Sequence, residues 1–297
     1  MKILFIFIDG LGIGTNDKFQ NPCAQSKIKL LNNFLTDTYP KALPFGGIVK
    51  PIDCSLGVNG LPQSATGQAA LYTGINASKI LNKHLSGFPN QKLRDILEEF
   101  SILKKVIQIE KKAAFINAYR PIYFERGPDA LIRFLSVTSI MNWKAGLKFF
   151  DFEDLRKKQC IYHDFTNREL IRKGFNVPEF TAAKAGKILA RVSQNFDFLL
   201  YEYFKTDRAG HKQNLLKATA LLLELEEFIL TVLKLIDLSE TLLIITSDHG
   251  NIEDISLKTH TNNPVPLMVW GVKKEIFIND VGSILDVTPM ILDLLSI

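Results

Sequence analysis

Cysteine is scarce and scattered. Cys23, Cys54 and Cys160 lie far apart and in no CxxC pair, so neither a disulfide framework nor a thiolate metal site is expected, and the thiols read as reduced and structural. Long hydrophobic runs are missing too: nothing approaches the roughly 18 apolar residues of a membrane span. The opening MKILFIFIDG holds six apolar residues, Ile3 to Ile8, before Asp9, which is shorter than a secretory core and lacks a cleavage signal. A cytoplasmic location without a membrane partner is the resulting expectation. Charge of one sign does not accumulate either, because 36 basic and 31 acidic residues are interspersed for a net charge of +5. No basic stripe alternates with aromatics, which argues against a nucleic-acid partner. Internal repeats and low-complexity segments are absent, and oligomeric state is not encoded in any of these features. What is present is 297 residues with 46% hydrophobic content, enough for one large domain or a core with a small insertion.

Several short runs are wholly or mostly apolar instead of alternating, as suits strands buried on both faces of a parallel sheet. They are Ile3 to Ile8, Ala113 to Ile116, Phe196 to Phe204, Leu242 to Ile245 and Pro266 to Trp270. Helical periodicity separates them, most clearly from Asn214 to Ile236. A last helix is expected from Asp286 to Ser296, with Asp at its start and Pro289 near its first turn. Strands alternating with helices predict an α/β fold, with a mostly parallel central sheet and helices on both faces. The catalytic core is assigned to residues 1–120 and 193–297. Residues 121–192, mixed in aromatic, basic and Gly/Pro content, are assigned to a small insertion or cap.

The ends of these runs carry the chemistry. Asp9 ends the first, Asp207 and His211 follow the third, Asp248 and His249 follow the fourth, and His260 precedes the fifth. A turn such as TSDHGN collects Asp, Gly and Asn for backbone reasons alone. Three of the chain's five histidines at strand edges are harder to explain that way, because in open α/β sheets ligands bind beyond the carboxyl ends of the strands. Asp207 and His211, four residues apart, face the same way on a helical turn. Oxygen and nitrogen donors without thiolates suit Zn²⁺ or Mn²⁺. Six such donors exceed the needs of one catalytic ion, whereas two ions about 3.5 to 4 Å apart are usual for transfer at phosphorus. A nucleophile is offered by GLPQSATGQAALYTG, residues 60–74. Ser64 there reads as a helix N-cap, a position that also favours a phosphoryl anion, and Thr66 is the competing hydroxyl.

The motifs IFIDG, SATGQ, TDRAGH, SDHGN, THTNNPVPL and DVTPMILDLL, in this order, resemble those of the alkaline phosphatase superfamily. The likeness is strongest to its branch of cofactor-independent phosphoglycerate mutase and phosphopentomutase, and it covers most of residues 1–80 and 195–297. It implies one metal held by Asp207, His211 and His260, and a second held by Asp9, Asp248, His249 and Ser64. It favours Ser64 over Thr66 as nucleophile, through a covalent phosphoserine. Three carboxylates and an alkoxide would balance two divalent ions, and Gly250 would let the backbone turn close beside the ion. Two departures stand out: Gln68 replaces a histidine of the mutase branch, and the interval from Ser64 to Asp207 is too short for the large mutase domain.

A mutase must enclose its substrate, so the short interval favours a two-metal hydrolase of a phosphomonoester or related phosphoryl or sulfuryl ester. A phosphomutase acting on a small sugar phosphate and a noncatalytic metal-binding scaffold are the alternatives. The expected partner is a small phosphorylated substrate. His84, Asn117, Arg120, Arg133, His163, Asp164 and Arg168, between the core motifs, are candidates to contact it, and Tyr162 to Leu170 is the least ordinary stretch among them.

Overall fold

The computed structural model describes residues 1–296. Seven strands form one sheet in the order β2-β3-β7-β6-β1-β5-β4. They are β1 (Lys2–Ile8), β2 (Lys41–Leu43), β3 (Gly47–Ile52), β4 (Ala113–Phe115), β5 (Phe198–Tyr203), β6 (Thr241–Thr246) and β7 (Val265–Gly271). β1 lies between β5 and β6 and pairs parallel with both, and β4 continues the parallel set beside β5. β7 runs antiparallel to β6, and β3 and β2 extend that edge as an antiparallel pair.

The continuous apolar runs exist because both faces are covered. Along β1, Leu4, Ile6 and Ile8 point into one core and Ile3, Phe5 and Phe7 into the other, all buried. The first core is roofed by helices Ala182–Ser193 and Leu215–Leu235, which pack on each other. The second is roofed by helices Ser64–Thr73, Gln91–Phe100, Val137–Lys144 and Ile284–Ser296. Residues 121–192 thus send helices to both layers.

Two expectations shift, and two strands were not anticipated. The run Pro266 to Trp270 is a strand, but an antiparallel one, and its continuous burial follows from helices on both sides. Its reversed direction brings the residues preceding it to the edge where β1, β5 and β6 end. The last helix begins at Ile284, so Pro289 lies beyond the first turn. Asp286 acts inside that turn, accepting the N–H groups of Gly282 and Ser283 at 2.9 and 2.8 Å. β2 and β3 carry no apolar run, so periodicity gives no sign of them.

A buried carboxylate fastens the amino-terminal loop to the first core. Glu226, on the helix Leu215–Leu235, accepts the N–H groups of Lys29, Leu30 and Leu31. Glu226→Ala leaves these donors unsatisfied and is expected to lower stability by about 3 kcal/mol, measured by urea unfolding. A change within experimental error would show that water replaces the carboxylate.

Candidate metal centre

Asp9 follows β1, Asp207 lies on the short helix Lys205–Gly210 after β5, and Asp248 and His249 follow β6. These three strands are neighbours, and antiparallel β7 returns His260 to the same edge. The side chains meet as two groups, Asp9 with Asp248 and His249, and Asp207 with His211 and His260, in each of which the donor atoms lie within 4.8 Å of one another. The groups adjoin: the His249 and His260 rings stack with centroids 3.8 Å apart.

The three imidazoles share one orientation. Nδ1 of His211 meets the Lys258 carbonyl at 2.7 Å, that of His260 the Pro62 carbonyl at 2.8 Å, and that of His249 the Gly250 carbonyl at 3.3 Å. A carbonyl only accepts, so each Nδ1 carries the proton and, in the neutral ring, Nε2 presents its lone pair. Nε2 of His211 and Nε2 of His260 each lie 3.4 Å from Asp207 Oδ1. His249 Nε2 lies 3.3 Å from Asp9 Oδ1 and 3.6 Å from Asp248 Oδ2. Lone pairs facing carboxylate oxygens at these distances require positive charge between them.

Burial shapes the same demand. It raises the carboxyl of Asp9 well above the usual carboxylate range, with the Asp248 charge adding to the effect, and it raises that of Asp248. Burial works against a charged His249, yet the Asp248 and Asp9 carboxylates push its pKa up to about 10. With protein groups alone a proton supplies the missing charge. Among the described residues, Asp9 Oδ1 is nevertheless buried without a hydrogen bond. A divalent cation in each group would satisfy that oxygen and the three Nε2 atoms, so the donor sets fit metal ions of the kind that accept Asp and His.

Ser64 is not the N-cap that its position suggests. The cap is Gln63, Ser64 is the first helical residue, and its Oγ lies 2.9 Å from His249 Nε2. Thr66 is buried and engaged, donating to the Gln63 carbonyl at 3.3 Å and accepting from the Leu85 N–H at 3.1 Å. The other candidates divide. Asn117, Arg120 and His163 line a cavity beside the centre. His84 spends both ring nitrogens on Ser78 and the Val58 carbonyl, Arg168 pairs with Glu179 and Glu224, and Asp164 caps the turn at Asn167 and Glu169. Arg133 is exposed.

Several supporting residues escaped the sequence reading. Gln68, the departure from the mutase pattern, donates to Asp248 Oδ2 at 3.1 Å and orients it. Asn251 donates to Asp207 Oδ1 at 2.6 Å. Glu253, 1% exposed, gathers the loops: its Oε2 accepts the N–H groups of Gly12 and Asn251 at 2.9 and 2.7 Å, and its Oε1 accepts the Thr261 hydroxyl and the Asn263 amide. This corrects the role expected of Gly250. A Cβ there would fall 2.3 Å from both Glu253 Oε1 and Thr261 Oγ1, so the glycine clears space for the carboxylate. At Gly10 the requirement is double, a φ of +67° and an Asp207 Cα that a Cβ would meet at 2.9 Å.

Residues 168–297 match the family described as Metalloenzyme superfamily. The 2,3-bisphosphoglycerate-independent phosphoglycerate mutase of Antithamnion sp. is 33% identical over 147 residues, 44% of this chain and 29% of that protein. That of Ehrlichia ruminantium (strain Gardel) is 30% identical over 130 residues, 41% of this chain and 26% of that protein. The matched segments thus span under a third of these relatives. Among solved structures, alkaline phosphatase from the Antarctic bacterium TAB5 is similar with a TM-score of 0.56 at 15% identity, covering 99% of this chain and 98% of that one. The cold-active alkaline phosphatase of Shewanella sp. gives 0.56 at 12% identity, covering 99% and 100%. The fold over the whole chain is thus alkaline phosphatase-like, and residues 168–297, which carry Asp207, His211, Asp248, His249 and His260, match the metalloenzyme family.

Every group facing Glu253 is an N–H or O–H donor, so Glu253→Gln turns an amide N–H toward at least one of them. The expected outcome is a loss of about 2–3 kcal/mol by urea unfolding and metal affinity weakened by about tenfold or more by calorimetry. Unchanged metal affinity would mean that the loops hold their positions without this carboxylate.

Proposed function

We propose that the chain is a two-metal phosphohydrolase that transfers a phosphoryl group from a small phosphomonoester to Ser64 and then to water. The observation that carries this reading is the arrangement of two adjoining Asp/His groups with Ser64 Oγ placed 2.9 Å from His249 Nε2. Asp207, His211 and His260 would hold one divalent ion, and Asp9, Asp248, His249 and Ser64 the other, with Zn²⁺ and Mn²⁺ both suited to the donors. Bound ions would neutralise the phosphoryl oxygens and favour the ionised serine.

The chain's own residues do the rest. Ser64 Oγ forms the bond to phosphorus as the ester oxygen leaves with its electron pair, and water then cleaves the phosphoserine to release phosphate. Gln68 and Asn251 fix the orientation of Asp248 and Asp207, and the backbone carbonyls at Pro62, Gly250 and Lys258 fix the imidazoles. The names of the curated relatives favour chemistry at a phosphate ester. Hydrolysis is favoured over mutase transfer because helices Val137–Lys144 and Ala182–Ser193, between Ser64 and Asp207, are packed into the two core layers, which leaves too little of the interval for a large domain closing over the substrate.

Protein loaded separately with Zn²⁺ or Mn²⁺ is expected to bind two equivalents by elemental analysis and to release phosphate from phosphomonoesters. Ser64→Ala is expected to keep its metals and lose activity by about 10³-fold or more. Metal binding without phosphate release, accompanied by isomerisation of a sugar phosphate, would replace the hydrolase with a mutase. Removal of metal by chelation is expected to lower the Tm by several degrees, since ligands that bind only the folded state stabilise it. An unchanged Tm would overturn metal occupancy.

A further inference from the structure

A cavity of about 460 Å³ opens beyond the carboxyl ends of β4 and β5, the sheet edge that carries the metal centre. Its walls connect to that centre on two sides. Phe204 and Arg208 flank Asp207 on the chain, with the Arg208 guanidinium 4.7 Å over the Phe204 ring. Phe88 comes from the segment after Leu85, and Leu85 exchanges backbone and hydroxyl hydrogen bonds with Thr66, two residues from Ser64. Glu202 of β5 lines the cavity and senses the charge of Asp248.

The lining favours one kind of ligand. Phe88, Phe115, Tyr119, Tyr123, Phe134 and Phe204 supply ring faces and edges. Phe88 and Phe134 are 51% and 69% exposed and meet edge-to-face at 6.3 Å, leaving an aromatic pair at the mouth with ring surface free. At the β5 wall Glu202 is buried, and among the described residues its carboxyl makes one hydrogen bond, from the Thr138 hydroxyl at 2.7 Å to Oε2. A second acceptor oxygen therefore remains for a donor in the cavity. Arg120, Arg208 and Lys173 outweigh Glu169 along the other side, which opposes an ammonium ligand. Ring surfaces on most sides suit a flat apolar body better than a polyhydroxylated sugar.

We propose that this cavity is the leaving-group subsite of the metal centre and takes a nucleobase-like heteroaromatic ring, stacked among the aromatic side chains with an N–H directed at Glu202. The proposal rests on the phosphohydrolase reading and names its substrate class, a nucleoside monophosphate. Burial pushes the Glu202 carboxyl up to about 7, so near neutrality it can accept a hydrogen bond from the ring or donate one to it, as the mixed edge of a base requires.

The test separates the two readings. Metal-loaded protein is assayed with adenosine and cytidine 5′-monophosphates against ribose 5-phosphate, which keeps the sugar and phosphate and lacks the base. Binding of free adenosine and cytidine to metal-free protein is followed by calorimetry. A kcat/KM at least about tenfold higher for a nucleotide, together with nucleoside binding that weakens in both Phe134→Ala and Glu202→Gln, supports the subsite. Phe134 is largely exposed and Gln is isosteric with Glu, so both variants are expected to fold, as circular dichroism would verify. Nucleoside binding without any phosphate release upholds the subsite and removes the phosphohydrolase. Phosphate release with no preference for nucleotides, or the absence of nucleoside binding, overturns the subsite.

Discussion

The site depends on a buried carboxylate that has no place in the chemistry. Glu253 collects donors from three separate stretches, Gly12 after β1, Asn251 after β6, and Thr261 and Asn263 before β7. These are the stretches that carry Asp9, His249 and His260. A buried ion without donors is strongly destabilising, so the carboxylate is tolerable only where the loops converge, and the loops in turn lose their shared acceptor without it. Neighbouring constraints follow from the same point. Gly250 has no side chain because Glu253 and Thr261 occupy that space.

Sheet topology explains how donors so distant in sequence arrive together. Three parallel neighbours, β5, β1 and β6, end at one edge, and β7 reaches that edge with its amino-terminal end because it runs the other way. A residue after a parallel strand and a residue before an antiparallel one are therefore equivalent in space. His260 belongs with the others for that reason.

This geometry also marks what was legible in the sequence. The apolar runs of β1, β5 and β6 and the polar residues at their ends were readable because a two-sided core demands continuous burial and a strand end demands an abrupt change. The direction of β7 was not readable, since a strand covered on both faces has the same composition either way. β2 was invisible because three residues at the sheet edge bury too little to leave a pattern, and β3 because its buried residues Val49 and Ile52 are separated by the half-buried Lys50 and Pro51. Ser64 was legible as a polar residue at a helix start, but capping and facing His249 require the same residue type, and only the direction of Oγ separates them. Glu253 carried no signal in the sequence, and Gln68 stood out only as a departure from the mutase pattern, without a role. Their roles depend on donors and acceptors far away in sequence.

β5 couples the metal centre to the adjoining cavity. Tyr201 and Tyr203 point into one core, while Glu202 between them faces the cavity and Asp207 follows one short turn later. β4 stops at Phe115, so the backbone of Glu202 has no strand partner on that side. The Asn117 amide takes that place, donating to the Glu202 carbonyl at 2.8 Å and accepting its N–H at 3.1 Å. Holding both backbone groups of one residue fixes its height along the sheet, and with it the Glu202 carboxyl and the start of the turn to Asp207. Asn117 thus supports both the cavity wall at Glu202 and the start of the turn that carries Asp207.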